Sequence, residues 1–409
     1  MKRSLSERVA HLGNIAYLTV LAVIVLLPSL TLDPKRDLTI DNRPAAKWPR
    51  LSGEELTAFP RRFELWFGDR FGGRKQYVSW GNFMIYHFLR ESPHEQVFLG
   101  DGGFVFLGSH NGGKANGNSL VKQLFGFDRN AVSASAARFG SCLEKLKRSP
   151  VRVLFMNVPT KHLLYFEKMP AAVRKRISKE RFYSAEVERE IARRYPGEGA
   201  GYFIDLRSAA VRLAPEMNLI APADFHWIPG PYTHLAAALT AEALGVSKRK
   251  FLPRPEDFES AEVKSDLRHF VYRGLKTPAL LTSDAAFERM GIRTFRGSAR
   301  LPHGKKPLPA AVEKLMYHSV NPNAPGGRML LLGDSFTNPL CRDMARYFRE
   351  VVSVEYSALL RVDAAKAPVW MKRIAAACDP EYITVVCHVD AAVFAGDVCL
   401  LTDVLKRRK

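Results

Sequence analysis

The chain of 409 residues reads as an α/β protein built on a mainly parallel sheet. Three observations predict this. Short, mostly apolar runs recur at 151–156, 329–332, 351–354 and 382–387, as expected of strands buried on both faces. Stretches of helical periodicity lie between them, the alternation that covers a parallel sheet with helices. The composition, 47% hydrophobic and 11% aromatic, supplies a large core without any low-complexity tract.

The N-terminus comes first. Lys2, Arg3 and Arg8 precede an uncharged apolar run over 15–32, and the next charge is Asp33. A run of this length is about the minimum for a ~30 Å hydrocarbon core and exceeds a usual cleavable signal core of ~7–15 residues. The basic flank before the run orients the N-terminus to the cytoplasm and the rest of the chain across the membrane. The reading is a cytoplasmic stub and transmembrane signal-anchor over 1–33, with a cleaved signal peptide as its rival. Residues 34–58, rich in Pro, Arg, Asp and Lys, read as a tether. A folded domain follows over 59–409, with 246–325 as a possible insertion.

Within that domain, 59–88 places aromatics and Leu at near-helical spacing, broken at Gly72-Gly73, and predicts two amphipathic helices. Gln96 to Leu99, the turn Gly100-Asp101-Gly102-Gly103 and Phe104 to Leu107 predict a hairpin. A helix carrying Phe139, Leu143 and Leu146 leads to the strand at 151–156. Further helices are expected over 169–196, a short strand at 202–206, and a small-residue helix over 235–244. The stretch 246–325 is basic, interrupted by Pro and Gly, and has no clean period.

The formal charge of +20 favours anionic partners, whether polysaccharide or lipid head groups. Nucleic acid is not expected, because the basic residues are dispersed and no nucleic-acid motif occurs. Five cysteines leave at least one thiol unpaired, and a bridge between Cys387 and Cys399 would close a short loop. No cofactor is expected, since neither HExxH nor a Cys/His cluster with metal spacing occurs.

The chemistry points to Gly333-Asp334-Ser335-Phe336. Ser335 follows the apolar run Met329-Leu330-Leu331-Leu332 and opens a helix, at the carboxyl end of a strand where α/β sheets collect ligands. Unpaired N–H groups at such a helix start can hold an oxyanion. Serine needs a base. Of eleven histidines, His226 stands out because Asp224 lies two residues before it, and in an extended segment i and i+2 point the same way. Asp334, Trp227 and Asn338 are placed as site-lining or substrate-binding residues.

Several blocks occur together and in order. They are Phe59-Pro60-Arg61-Arg62-Phe63 to Asp69-Arg70-Phe71-Gly72, Phe98 to Phe104, Val158-Pro159-Thr160-Lys161, Asp224-Phe225-His226-Trp227, and Gly333-Asp334-Ser335-Phe336. Over roughly 40–390 the chain thereby resembles the AlgJ/AlgX-type alginate O-acetyltransferases, SGNH-hydrolase-like proteins that acetylate bacterial exopolysaccharides. The resemblance implies an SGNH-like three-layer α/β/α fold with Asp-x-His preceding the serine. It implies Ser335 as nucleophile, His226 as general base, Asp224 as its orienter, and an acetyl-serine intermediate; Lys161 matches a lysine that recurs in the family and would line or buttress the site. The acceptor would be an anionic or neutral polysaccharide, and a multi-pass membrane acyltransferase would supply acetyl groups. The catalytic domain would lie in the periplasm, held to the inner membrane. The rivals are a polysaccharide esterase and a non-catalytic polymer-binding or scaffold protein. One departure stands out: where the family often carries an acidic and a basic residue after the last strand, this chain reads Val385-Val386-Cys387-His388-Val389-Asp390, making His388 a second candidate histidine.

Overall fold

The computed structural model describes residues 5–32, 45–49, 57–108, 128–177, 182–247, 254–297, 308–388 and 390–406. Most of the expected tether over 34–58 lies outside them. The chain forms two compact units, one of residues 1–93 with 268–274, the other of 94–267 with 275–409.

In the first unit, the expected membrane segment falls in the helix Leu5–Leu30. Among the described residues no helix is long and apolar enough to cross a membrane, so the transmembrane helix of the sequence reading is not found. The two amphipathic helices form as predicted, at Phe59–Arg70 and Arg74–Met84. Phe59, Phe63, Phe67 and Phe71 recur every fourth residue, so their rings stack in a row at 6.0, 6.0 and 6.3 Å between centroids. Gly73 at φ 70° ends that row, a left-handed turn that glycine takes without a Cβ penalty.

The second unit carries the sheet. A separate hairpin pairs β1 (Val97–Leu99) with β2 (Val105–Leu107) around the predicted glycine turn. The main sheet contains β3 (Arg152–Asn157), β6 (Arg293–Arg296), β7 (Met316–Val320), β8 (Gly326–Gly333), β9 (Phe348–Val354) and β10 (Tyr382–Cys387), in the order β3-β10-β8-β9-β7-β6. The first four in that order run parallel, and β7 and β6 add an antiparallel edge. Another hairpin, β4 (Glu259–Lys264) with β5 (Lys276–Leu281), stands apart from the sheet. The fold is thus mixed α/β with a mostly parallel sheet.

Alternation sorts the strands' side chains by face. Val153, Phe155, Leu330, Leu332, Val352, Val354, Ile383 and Val385 enter one cluster, closed by the helices Arg129–Lys147, Ala367–Cys378 and Ala395–Lys406. On the opposite face the helix Thr337–Met344 lies on the sheet, its Cys341 thiol directed at the Val351 carbonyl and the Ser319 hydroxyl. The helix Pro231–Ala243 packs over it through Thr233, whose hydroxyl reaches the buried Asp343. Residues 202–206, expected as a strand, contribute one parallel bridge, Phe203 to Phe155. All five cysteines are free thiols, so the suggested bridge from Cys387 to Cys399 does not form. Cys399 instead meets Cys142, donating to its carbonyl at 3.5 Å.

Candidate active site

Ser335 sits just beyond β8, between Gly333 and the helix Thr337–Met344. The turn depends on glycine. Gly333 has φ 155°, and a Cβ there would lie 1.7 Å from the Val386 carbonyl oxygen on β10. Asp334 then fixes the turn from inside. One of its oxygens accepts the Phe336 N–H at 3.0 Å, while the other accepts the His388 N–H at 2.9 Å and the His388 ring at 2.5 Å. The Ser335 N–H makes no hydrogen bond among the described residues, which leaves it available to an oxyanion.

The His226 ring meets the serine: Nε2 lies 2.7 Å from Ser335 Oγ. Its other nitrogen, Nδ1, lies 2.7 Å from an Asp266 oxygen. Asp266 also accepts the N–H groups of Phe225 and His226, at 2.8 and 2.9 Å, so one carboxylate holds both the ring and its backbone. Burial acts to raise the Asp266 carboxyl, but the His226 ring and these two N–H groups outweigh it and hold the group below the ordinary value of 3.8. A carboxylate on Nδ1–H leaves the Nε2 lone pair facing the hydroxyl, the tautomer that can accept a serine proton.

This corrects the expected partner of His226. Asp224 does not contact the imidazole; its carboxylate accepts the Asp266 N–H at 2.8 Å. The i, i+2 argument needs an extended chain, whereas Asp224 N–H bonds back to the Ala221 carbonyl in a turn. Asp224 therefore supports the residue that touches His226. It is buried, and burial together with the neighbouring Asp266 charge raises its pKa to about 6. Asp266 itself escaped the sequence reading, because it lies 40 positions from His226 in the segment without a clean period.

The other expected site residues support rather than line the site. Lys161 is fully buried, and its ammonium donates to the carbonyls of Val105, Ala221 and Asp224 at 2.8, 3.1 and 2.9 Å, and to that of Pro222. It pins the β2 strand to the loop that presents His226, between the rings of Phe104 and Phe106. Burial lowers its pKa to about 7, against the opposing charges of Asp224 and Asp266. Trp227 is buried as well, and its indole N–H donates to the Phe336 carbonyl at 2.7 Å, tying the His226 loop to the Ser335 turn. Asn338 is half-buried and accepts from the Ser353 hydroxyl at 2.9 Å. It also lines an open cleft with Pro229, Arg293, Tyr317 and Arg342.

Asp334, Cys387 and His388 offer potential ligand atoms within 4.8 Å of one another. The Asp334 oxygens are taken by N–H donors, and the Cys387 sulfur accepts the Asp390 N–H at 3.5 Å, so the group reads as an Asp–His pair rather than a metal centre.

No protein-family model and no curated protein matches the chain. Solved structures similar to it include Bacillus cereus PatB1 with a sulfonyl adduct, at 15% identity and TM-score 0.45, over 76% of this chain and 99% of that one. The O-acetyltransferase domain of Pseudomonas putida AlgJ aligns at 13% identity and TM-score 0.39, over 73% and 92%. Pseudomonas aeruginosa AlgX aligns at 14% identity and TM-score 0.36, over 72% and 62%.

Proposed function

We propose that the protein is an O-acetyltransferase of the SGNH serine type that acetylates a bacterial exopolysaccharide through an acetyl-serine. The observation that carries this reading is the line Ser335 Oγ, His226 Nε2, His226 Nδ1, Asp266, with 2.7 Å at both ends of the ring. His226 takes the Ser335 proton as the serine attacks an acetyl ester, then gives it to the leaving group. A sugar hydroxyl, deprotonated by the same ring, collects the acetyl group and returns the proton to Ser335. Asp266 steadies the imidazolium formed in each half, the part assigned to Asp224 on sequence grounds. The Ser335 N–H supplies one oxyanion donor.

The acceptor is an anionic or neutral polysaccharide, and the +20 charge suits an anionic one. The domain works in the periplasm, with the N-terminal segment at the inner membrane and a multi-pass acyltransferase delivering acetyl groups. Support for the membrane location comes from the basic flank and from the outward apolar side chains of Leu12, Ile15, Leu18 and Leu21. A polysaccharide esterase is the second reading. The observation that favours it is access of water, since the His226 and Asp266 side chains are 35% and 33% exposed.

The test supplies full-length protein with p-nitrophenyl acetate, with and without oligosaccharide, beside Ser335→Ala. Acetylated sugar from the native protein alone supports transfer. Acetate without acetylated sugar supports the esterase, and no turnover by the native protein overturns both.

A further inference from the structure

A second histidine follows the strand next to that of Ser335, and it too is held by an aspartate, here the buried Asp334. β8 and β10 run parallel with Gly333 opposite Val386, so Ser335 and His388 stand two residues further on in their respective chains. Asp334 grips His388 as Asp266 grips His226, through the backbone N–H and through Nδ1. Burial opposes ionisation of Asp334, yet His388 and the Phe336 N–H outweigh it, so a carboxylate faces Nδ1. The Nδ1–H is thereby fixed and Nε2 carries the lone pair. Among the described residues Nε2 has no hydrogen-bond partner, and the side chain is 20% exposed. Both imidazoles lie against one ring: Phe336 is 5.0 Å from His226 and 5.1 Å from His388 between centroids. Phe225 meets both rings as well, at 4.8 and 5.5 Å.

We infer that His388, oriented by Asp334, binds the acceptor sugar through a hydroxyl next to the one that is acetylated. The inference rests on the transferase reading above. His388 Nε2 accepts one sugar O–H, while His226 removes the proton of the neighbouring hydroxyl. That oxygen attacks the acetyl carbonyl, the ester bond to Ser335 breaks, and the proton passes from His226 to Ser335 Oγ. Two neighbouring hydroxyls of one sugar give each histidine its own oxygen, whereas the single oxygen of a water must serve both. The second Asp–His pair therefore favours transfer over hydrolysis in a site that water reaches.

The test uses full-length protein and p-nitrophenyl acetate, with ethanol, ethylene glycol or maltohexaose as acceptor, and reads acetylated acceptor against free acetate. For native protein the transfer-to-hydrolysis ratio per hydroxyl should be about tenfold higher for ethylene glycol than for ethanol, roughly the worth of one good hydrogen bond. His388→Asn keeps an amide N–H for Asp334 but has nothing at the Nε2 position, and should erase that preference and lower transfer to maltohexaose by a similar factor. Equal ratios for the two small alcohols with native protein overturn the inference whether or not the variant folds. An unchanged preference in a folded His388→Asn also overturns it. Native protein that releases acetate but acetylates no acceptor overturns the transferase reading itself, which separates the two failures.

Discussion

Replacing Asp266 with Asn isolates the residue that structure, rather than sequence, places against His226. The carboxylate accepts three hydrogen bonds, at 2.8 Å from Phe225 N–H, 2.9 Å from His226 N–H and 2.7 Å from His226 Nδ1. An amide has one acceptor oxygen. If its NH2 faces the ring, it opposes both His226 N–H groups and drives the proton to Nε2, where it blocks acceptance from Ser335. If its oxygen faces the ring, the tautomer survives but the negative charge that steadies the imidazolium is lost. Either way turnover should fall about 10³-fold, which is roughly 4 kcal/mol of transition-state stabilisation. Asp224→Asn keeps an oxygen for the Asp266 N–H and leaves the ring contact intact, so its loss should stay under about tenfold. The assay is the pre-steady-state burst of p-nitrophenol from p-nitrophenyl acetate, with thermal unfolding to confirm that both variants fold. A loss in Asp224→Asn as large as in Asp266→Asn would refute the assignment, and so would an undiminished burst in Asp266→Asn.

Further predictions concern the supports of the site. Lys161→Met leaves the carbonyls of Val105, Ala221, Pro222 and Asp224 without their buried donor and should cost about 3 kcal/mol or more, read as a lower urea midpoint. Gly333→Ala drives a Cβ into the Val386 carbonyl, and loss of soluble folded protein or a fall of about 3 kcal/mol in unfolding free energy is expected. Asp224 titrates near 6 in the folded protein against an ordinary 3.8, so between these values the native state holds a proton that the unfolded chain has released. Its contribution to stability therefore falls as pH rises from about 4 to 6. Thermal melts of native protein and Asp224→Asn should show that slope only in the native protein.

The parts of the fold that sequence revealed are those set by local pattern. Four apolar runs became β3, β8, β9 and β10, and the Gly72-Gly73 break fell between two helices. Ser335 was legible because an apolar strand, a glycine turn and a helix follow one another in sequence. His226 was legible from its motif, but its partner was not. Asp266 reaches it from a separate loop after β4, and no local period announces a tertiary contact over 40 positions. Lys161 was recognisable as a recurring residue, yet its role depends on carbonyls 56 to 63 positions away, which only the folded chain assembles. The antiparallel edge made by β6 and β7 was hidden because neither carries the continuous apolar run of the central strands: Arg293 and Arg296 flank a partly buried β6, and β7 reads Met316-Tyr317-His318-Ser319-Val320.

The central claim is that Ser335, activated by His226, carries the acyl group. The most direct measurement is peptide mass spectrometry of protein quenched in acid after brief exposure to p-nitrophenyl acetate. The account predicts one acetyl group on the peptide containing Ser335, strongly diminished in His226→Asn and missing in Ser335→Ala. An unmodified Ser335 peptide in native protein that is turning over the ester, or an equal yield in His226→Asn, would contradict it.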